Sequence, residues 1–405
     1  MTESRSLTNQ ISPKTIAYVG GEDVEMRIPI LNRLRERGYF VSAIGSRSST
    51  PFDSVGIDYY RYPLHRGANP FADYYSRKSL RHLFEANQPV IVHAFDTKPA
   101  ILAMQAAQSV GVPCRIRTIT GMGYVFSSSS LLALSLRPIY RRLQRRASAA
   151  STHTIFQNQD DQEYFLSHDM VRGEKQSLVL GSGVDVQQMN QQRPSQQELD
   201  QMRSSLGIEK QVVVSMIARL VKHKGVVEYL KAAREIVQSG NRNVRFLLIG
   251  PLASEGKQAV SRSVIDEYRE FVQYLGPRKD IPKILGMTDV FVLPSYYREG
   301  VPRVLLEAGA MGLPIVTTNM PGCREVVRDG INGRLVQPRD STQLAKAIQE
   351  LINSPETRIM MGRESVSWVK ENFDLSLVVS KYCDIYDRAL VGFSARQHPL
   401  VSAYV

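Results

Sequence analysis

The run SYYREGVPRVLLEAGAMGLPIVTTNMPGCREVV, Ser295 to Val327, decides the fold. A short apolar strand, Val290 to Pro294, leads into it; the text then turns polar, and Leu305 to Met311 reads as the first turns of a helix whose N-terminus points back at the strand's carboxyl end. Open α/β sheets bind ligands at that edge. Glu299 and Glu307 stand eight positions apart across the turn. Backbone N–H groups of Gly300 and Val301 would be free at such a helix start and would face an anion, while Glu307, about two turns on, is placed to accept from vicinal hydroxyls. A phosphate and a diol together describe a nucleotide sugar. Two glutamates on a helix are by themselves ordinary solvated residues. Their neighbours argue otherwise: Gly300 follows Glu299 directly, Pro302 suits a helix start, and the small run Ala308, Gly309, Ala310 lets the helix pack closely on a sheet.

Working outward, strand and helix alternate along the chain. The first half reads as strand TIAYVG from Thr15, a Gly20-Gly21 turn, a helix to about Arg37 and strand YFVSAIG, one βαβ unit. Helix Tyr74 to Asn87, strand Val90 to Phe95, helix Pro99 to Ser109, strand Arg115 to Thr120, a long helix and strand THTIFQN continue it. The second half restarts with strand Val212 to Arg219, helix Gly225 to Ser239 and strand Val244 to Gly250, and runs on through helix Ser261 to Phe271, VQYLG, helix Ile281 to Met287 and the opening segment. The expected architecture is α/β: two Rossmann-like, doubly wound domains facing across a cleft. The Gln-rich stretch Gln187 to Gln197 has the apolar-poor composition of a connector. The expected division is a flexible N-terminus 1–14, a first domain 15–186, a linker 187–197, a second domain 198–373, and at 374–405 a C-terminal helix returning toward the first domain, with a tail after Phe393.

With 405 residues, 43% of them hydrophobic, the chain can bury two cores, and its longest apolar runs have strand length rather than membrane-span length. Met1 to Lys14 shows no charged-then-apolar leader, so a cytosolic protein is expected. Cys114, Cys323 and Cys383 show no paired spacing, which predicts reduced thiols and neither disulfide nor structural zinc. A net charge of +12 asks for an acidic partner. The segment LLALSLRPIYRRLQRRASAA after Ser130 concentrates that charge in Arg137, Arg141, Arg142, Arg145 and Arg146, interleaved with apolar residues and without one acid. As a helix it is basic and amphipathic, fit either to lie on an anionic membrane surface or to pack one face on a core.

ARLVKHKG supplies the chemistry opposite the glutamates. Arg219 ends a buried strand and Lys224 precedes the Gly225 helix, so both cations leave the same carboxyl edge as the Glu299 loop. Breaking a nucleotide sugar's C1–O bond puts negative charge on the departing diphosphate, which fixed cations and helix N-termini stabilise more in the transition state than in the ground state. There is no Asp-any-Asp pair, and Asp160 and Asp161 sit in DDQEYF, where helix capping is the expected role. No metal and no cofactor are therefore expected.

Arg219 and Lys224, the Gly250 strand end, LGPRKDIP, EGVP with LLEA, and GCREVVRDGINGRLV resemble the C-terminal half of the retaining family 4 glycosyltransferases, which have the GT-B fold. The N-terminal GGEDVEMRIPILNRLRERG, VHAFDTKPA and RTITGMGYVF resemble the branch that adds sugars to undecaprenyl-diphosphate-linked intermediates of bacterial surface polysaccharides. The resemblance implies that Glu299 touches the transferred sugar, Gly300 and Val301 bind phosphate, Glu307 holds the ribose, and Arg219 and Lys224 carry the diphosphate. It further implies that Tyr274, Leu275 and Gly276, beyond the Gly250 strand end, contact a uracil base, with Arg278 and Asp280 nearby, and that Gly20 and Gly21 face the reaction centre. Many relatives carry a histidine where this chain has Thr120; His93 is the nearest alternative and is read, with Thr120, as acceptor-side. The implied partners are a UDP-sugar donor, such as an N-acetylhexosamine or deoxy-sugar, and a polyprenyl-diphosphate-linked sugar acceptor. The implied reaction retains configuration by front-side attack. Two rivals remain: a UDP-sugar 2-epimerase of the same fold, which lacks the EGVP–LLEA arrangement, and a non-catalytic protein binding nucleic acid or scaffolding a membrane complex, against which stand the diphosphate-like cation cluster and the lack of aromatic stacking motifs.

Overall fold

A computed structural model of the chain describes residues 14–65, 67, 69–127, 130–208, 210–252 and 258–397. The expected flexible N-terminus, but for Lys14, and the end of the tail beyond 397 lie outside the described residues.

Two all-parallel sheets carry the molecule. The first contains β1 (Thr15–Val19), β2 (Phe40–Gly45), β3 (Asp58–Arg61), β4 (Ile91–Phe95), β5 (Cys114–Ile119), β6 (His153–Phe156) and β7 (Gln176–Leu178), in spatial order β3-β2-β1-β4-β5-β6-β7. The second contains β8 (Val212–Ile217), β9 (Val244–Ile249), β10 (Val272–Gly276), β11 (Val290–Leu293), β12 (Ile315–Thr318) and β13 (Gly333–Val336), in the order β10-β9-β8-β11-β12-β13. Both orders reverse direction beside the first strand, at β1/β4 and at β8/β11. Ligands bind at such switch points in doubly wound sheets. Central strands such as VVVSMI and IVHAF are buried on both faces, which is why they read as continuous apolar runs.

The Gln-rich stretch departs from the expected linker. Helix Val186–Gln191 fills its first half, capped by the Asp185 carboxylate accepting from Gln188 N–H. Helix Gln196–Ser205 begins in its second, behind a capping box of Ser195 and Glu198. These caps start helices that apolar periodicity does not announce. The C-terminal helix Leu375–Gln397 continues past the expected tail at Phe393. Its Leu375, Val378, Val379, Tyr382, Ile385 and Tyr386 share one core with Ile16 and Tyr18 of β1 and with Leu31 and Leu34 of helix Ile28–Glu36. Among the described residues no helix is long and apolar enough to cross a membrane.

Candidate active site

On the first sheet, β1, β4 and β5 lie side by side and deliver Gly20-Gly21, Asp96 and Thr120 to one edge. The Asp96 carboxylate gathers them: it accepts from Gly21 N–H at 3.4 Å and from the Thr120 hydroxyl at 3.1 Å. Asp96 itself has φ 65° and ψ 158°, a costly backbone for a residue with a side chain. Gly20 sits just behind, its carbonyl accepting from Tyr62 OH. Gly21, Glu22, Asp23, Leu64, Asp96, Lys98 and Pro99 line a cavity of about 230 Å³. Lys98 braces its rim by pairing with Asp73 at 2.5 Å and donating to the carbonyls of His65 and Gly67.

On the second sheet, β8 leads to Arg219, which is exposed and has no ion pair among the described residues. Lys224, further along the same loop, reaches Glu299, with Nζ 2.6 Å from Oε2, and the Ser295 hydroxyl donates to Oε1 at 2.7 Å. Burial alone would raise the Glu299 pKa, but the charge and hydrogen bond of Lys224, with Ser295 and the His223 charge, hold it below the usual carboxylate range. At the end of β9, Gly250 has φ 140°, and a Cβ there would lie 1.8 Å from the Ala218 carbonyl oxygen, so only glycine fits. Its carbonyl accepts from Tyr274 OH and its N–H donates to the Gly276 carbonyl, each at 2.9 Å. Gly250, Tyr274 and Gly276 are thus brought together, with Leu275 between the last two and the Arg278–Asp280 pair beyond. The helix after the Glu299 turn runs Arg303–Ala310, and Glu307 pairs with Arg303 at 2.9 Å. Burial pushes Glu307 up, more than Arg303 pulls it down.

The two edges meet. Gly300 N–H donates to the Thr120 carbonyl at 2.8 Å and Gly123 N–H to the Arg298 carbonyl at 3.3 Å. The Asn158 amide donates to the Glu299 carbonyl at 3.1 Å, and Arg298 pairs with Asp161 at 3.1 Å. Gly121 lies in the seam with φ 115°; a Cβ on it would stand 2.7 Å from the Arg298 carbonyl oxygen. Gly21, Asp96, Thr120, Gly300, Glu299 and Lys224 therefore form one unbroken line of contacts across the cleft.

Four readings need correction. Gly300 N–H, expected to be free for phosphate, is spent on Thr120. His93, expected on the acceptor side, is 0% exposed, its Nδ1 2.5 Å from Tyr386 OH and its Nε2 2.7 Å from Thr118 Oγ1. Its side chain faces the C-terminal helix, away from the cleft, because alternate strand residues point to opposite faces; burial also holds its pKa well below the ordinary value. Asp161 does not cap its helix: Asn158 does, and Asp161 pairs across the seam instead. Finally, three of the five arginines in helix Leu131–Ala150 point at the protein. Arg137 donates to the Val125 carbonyl, Arg141 to Tyr164 OH and Arg145 to the His168 carbonyl. Arg142 and Arg146 are exposed, with no hydrogen bond or ion pair among the described residues.

Asp96, Asn158, Arg298 and Arg303 escaped the sequence reading, and Asp161 entered it only as a helix cap. Asp96 carried a usable signal, since it follows a buried strand at the carboxyl edge as the Glu299 turn does. Asp161 and Arg298 carried none, standing 137 positions apart.

Comparison with known proteins gives the family and the fold. Residues 198–368 match the family described as glycosyl transferases group 1, and residues 29–179 match the glycosyl transferase 4-like domain. The chain belongs to these glycosyltransferases, and its fold is GT-B. A Campylobacter jejuni protein named N,N'-diacetylbacillosaminyl-diphospho-undecaprenol alpha-1,3-N-acetylgalactosaminyltransferase is 25% identical over 93% of this chain and 98% of its own length. An Escherichia coli protein named UDP-Gal:alpha-D-GlcNAc-diphosphoundecaprenol alpha-1,3-galactosyltransferase is 28% identical over 80% of this chain and 81% of its own. Among solved structures, the HepE protein of Anabaena in complex with UDP matches with a TM-score of 0.75 at 17% identity, over 92% of this chain and 100% of that one.

Proposed function

We propose that this glycosyltransferase moves a sugar, with retention of configuration, from a UDP-sugar to a sugar carried on a polyprenyl diphosphate, in the making of a bacterial surface polysaccharide. The observation that carries the reading is the line of contacts from Gly21 and Asp96 through Thr120 and Gly300 to Glu299 and Lys224. It joins the cavity beside Asp96 to the edge that carries Arg219 and Lys224. The names of the two relatives, each of which specifies an undecaprenyl-diphosphate-linked sugar, support the acceptor class.

In this reading Gly250, Tyr274, Leu275 and Gly276 receive the base, Glu307 the ribose hydroxyls, and Arg219 with the first-turn amides of helix Arg303–Ala310 the diphosphate. Val301 N–H takes the place on phosphate that Gly300 gives up. Glu299 accepts from hydroxyls of the transferred sugar, its carboxylate kept charged by Lys224, whose remaining N–H groups face the diphosphate. Asp96 accepts from the acceptor hydroxyl at the cavity. As the C1–O bond to the diphosphate breaks, the acceptor oxygen bonds to C1 from the same face and its proton passes to the departing phosphate oxygen. No enzyme nucleophile is needed, and preorganised charge supplies the rate enhancement.

The acceptor's lipid places the enzyme at the inner face of the cytoplasmic membrane. Helix Leu131–Ala150 turns Leu131, Leu134, Ile139 and Leu143 outward beside Arg142 and Arg146, an apolar row with flanking cations suited to an anionic bilayer surface. Helix Pro70–Asn87 exposes Phe71, Tyr74 and Tyr75, residue types that favour the headgroup level.

A panel of UDP-, GDP- and ADP-sugars, with and without EDTA, offered with a short polyprenyl-diphosphate sugar, tests the proposal. Turnover of one UDP-sugar with label passing to lipid is expected. Interconversion of free UDP-sugars would make it an epimerase, and silence across the panel would remove the donor class.

A further inference from the structure

We infer that Asp161 is a positioning residue for Glu299, acting across the domain seam through Arg298 and Asn158. The inference rests on the reading that Glu299 contacts the transferred sugar. Asp161 belongs to the first domain, in helix Gln159–Ser167, and is 0% exposed. One carboxylate oxygen, Oδ1, takes Arg298 at 3.1 Å; the other, Oδ2, accepts from the Asn158 amide at 3.0 Å. That amide nitrogen also donates to the Glu299 carbonyl at 3.1 Å. A single carboxylate therefore grips the residue before Glu299 by its side chain and orients the Asn158 amide that holds the Glu299 carbonyl.

The arrangement divides the control of Glu299. Its carboxylate is oriented within the second domain by Lys224 and Ser295, whereas its backbone is held by the first. Both holds operate together only while the domains are shut. A buried carboxylate loses much of its solvation and needs its cation; if the domains part, Arg298 leaves and only the Asn158 contacts stay with Asp161. Closure and the setting of Glu299 are thus one event. Burial, opposed by Arg298 and Asn158, raises Asp161 to about 6. The groups facing it are Arg298 from the loop after β11, Asn158 and Asp160 at its own helix start, and Tyr140 from helix Leu131–Ala150. Asp160 has Arg324 at 3.9 Å.

The test compares Asp161→Asn, Arg298→Gln and their double with the parent enzyme, with Glu299→Gln and Asp160→Asn as controls. Each single variant is expected to lower kcat by about tenfold to a hundredfold, the usual cost of a misplaced group. UDP affinity, read by calorimetry, should stay within about twofold, because the base and ribose contacts lie wholly in the second domain. The double should lose no more than the worse single, since the pair acts as one unit. The acidic limb of the parent's rate profile, where protonation of Asp161 releases Arg298 as pH falls through about 6, should disappear in Asp161→Asn. Unchanged kcat in Asp161→Asn, losses that multiply in the double, or UDP affinity falling in step with kcat would each overturn the inference. If Asp161→Asn does not fold, Arg298→Gln, at the more exposed end of the pair, carries the same test. Full activity in Glu299→Gln would instead remove the role of Glu299 on which the inference stands.

Discussion

Lys224 and Glu299 are locked together at 2.6 Å with each side chain only 16% exposed, so the cation read as a diphosphate ligand is first of all the counter-ion of the glutamate beside it. Replacing Lys224 with Met leaves a buried carboxylate whose pKa burial alone would raise. The loss should be about 3 kcal/mol at neutral pH, the cost of orphaning one member of a buried pair. The sign follows from the depressed Glu299 value: the pair's stabilisation is present above the unfolded glutamate pKa and lost as pH falls through the lower folded one. Thermal unfolding should therefore show a parent–variant gap that is widest at neutral pH and closes in acid. A gap independent of pH would mean that Lys224 stabilises by packing alone.

Glu307 behaves oppositely. Its pKa is raised, chiefly by burial, so its contribution to stability is complete below the unfolded value and is lost as pH rises through the folded one. Glu307→Gln should therefore stabilise the fold at neutral pH while weakening donor binding, by about 1.5–3 kcal/mol for lost charged hydrogen bonds, or roughly tenfold or more in donor KM. A higher Tm with unchanged donor KM would withdraw the ribose assignment.

Much of this was legible in the sequence because both sheets are parallel and buried. Runs such as VVVSMI and IVHAF announce their strands, and the rule that ligands meet the carboxyl edge then put Lys224 on the same edge as Glu299, where the two pair at 2.6 Å. What was illegible is what depends on the other domain. Nothing near Gly300 reveals that its N–H will find the Thr120 carbonyl, nor that Arg298 will find Asp161. His93 misled for a different reason: the edge rule locates a residue along a strand, whereas the face it presents depends on strand register, and the partner it meets there, Tyr386, is 293 positions away. The arginines of helix Leu131–Ala150 misled because periodicity gives a face and not its environment.

Gly121 offers a direct test of closure. Its φ of 115° disfavours any side chain, and an added Cβ would stand 2.7 Å from the Arg298 carbonyl oxygen, 2.7 Å from the Glu299 carbonyl carbon and 2.8 Å from Gly300 N. All three atoms are backbone of the second domain and cannot step aside. Gly121→Ala is expected to wedge the domains apart, at about 1–3 kcal/mol of local strain, and to abolish most transfer while UDP still binds. Small-angle scattering should show a larger radius of gyration than the parent. An unchanged radius together with normal kcat would mean that the seam is dispensable.

The helix arginines separate by what they touch, and two double variants exploit that. Arg137 and Arg141 are tied to the Val125 carbonyl and Tyr164 OH, and each guanidinium lies over an aromatic ring, that of Phe126 or Tyr164. Changing both to Ser should lower Tm through lost hydrogen bonds and packing, with binding to anionic vesicles largely kept. Arg142 and Arg146 face outward beside Leu143 and Ile139. Changing both to Gln should leave the unfolding free energy within about 0.5 kcal/mol of the parent's while weakening vesicle binding by about 1 kcal/mol per charge. That loss should shrink as salt rises, because exposed charges are screened within about 10 Å at 0.1 M ionic strength. Sedimentation with vesicles containing phosphatidylglycerol, at low and high salt, reads both variants. If the Arg142/Arg146 variant binds like the parent, this helix face does not meet the membrane, and the exposed Phe71, Tyr74 and Tyr75 become the surface to change next.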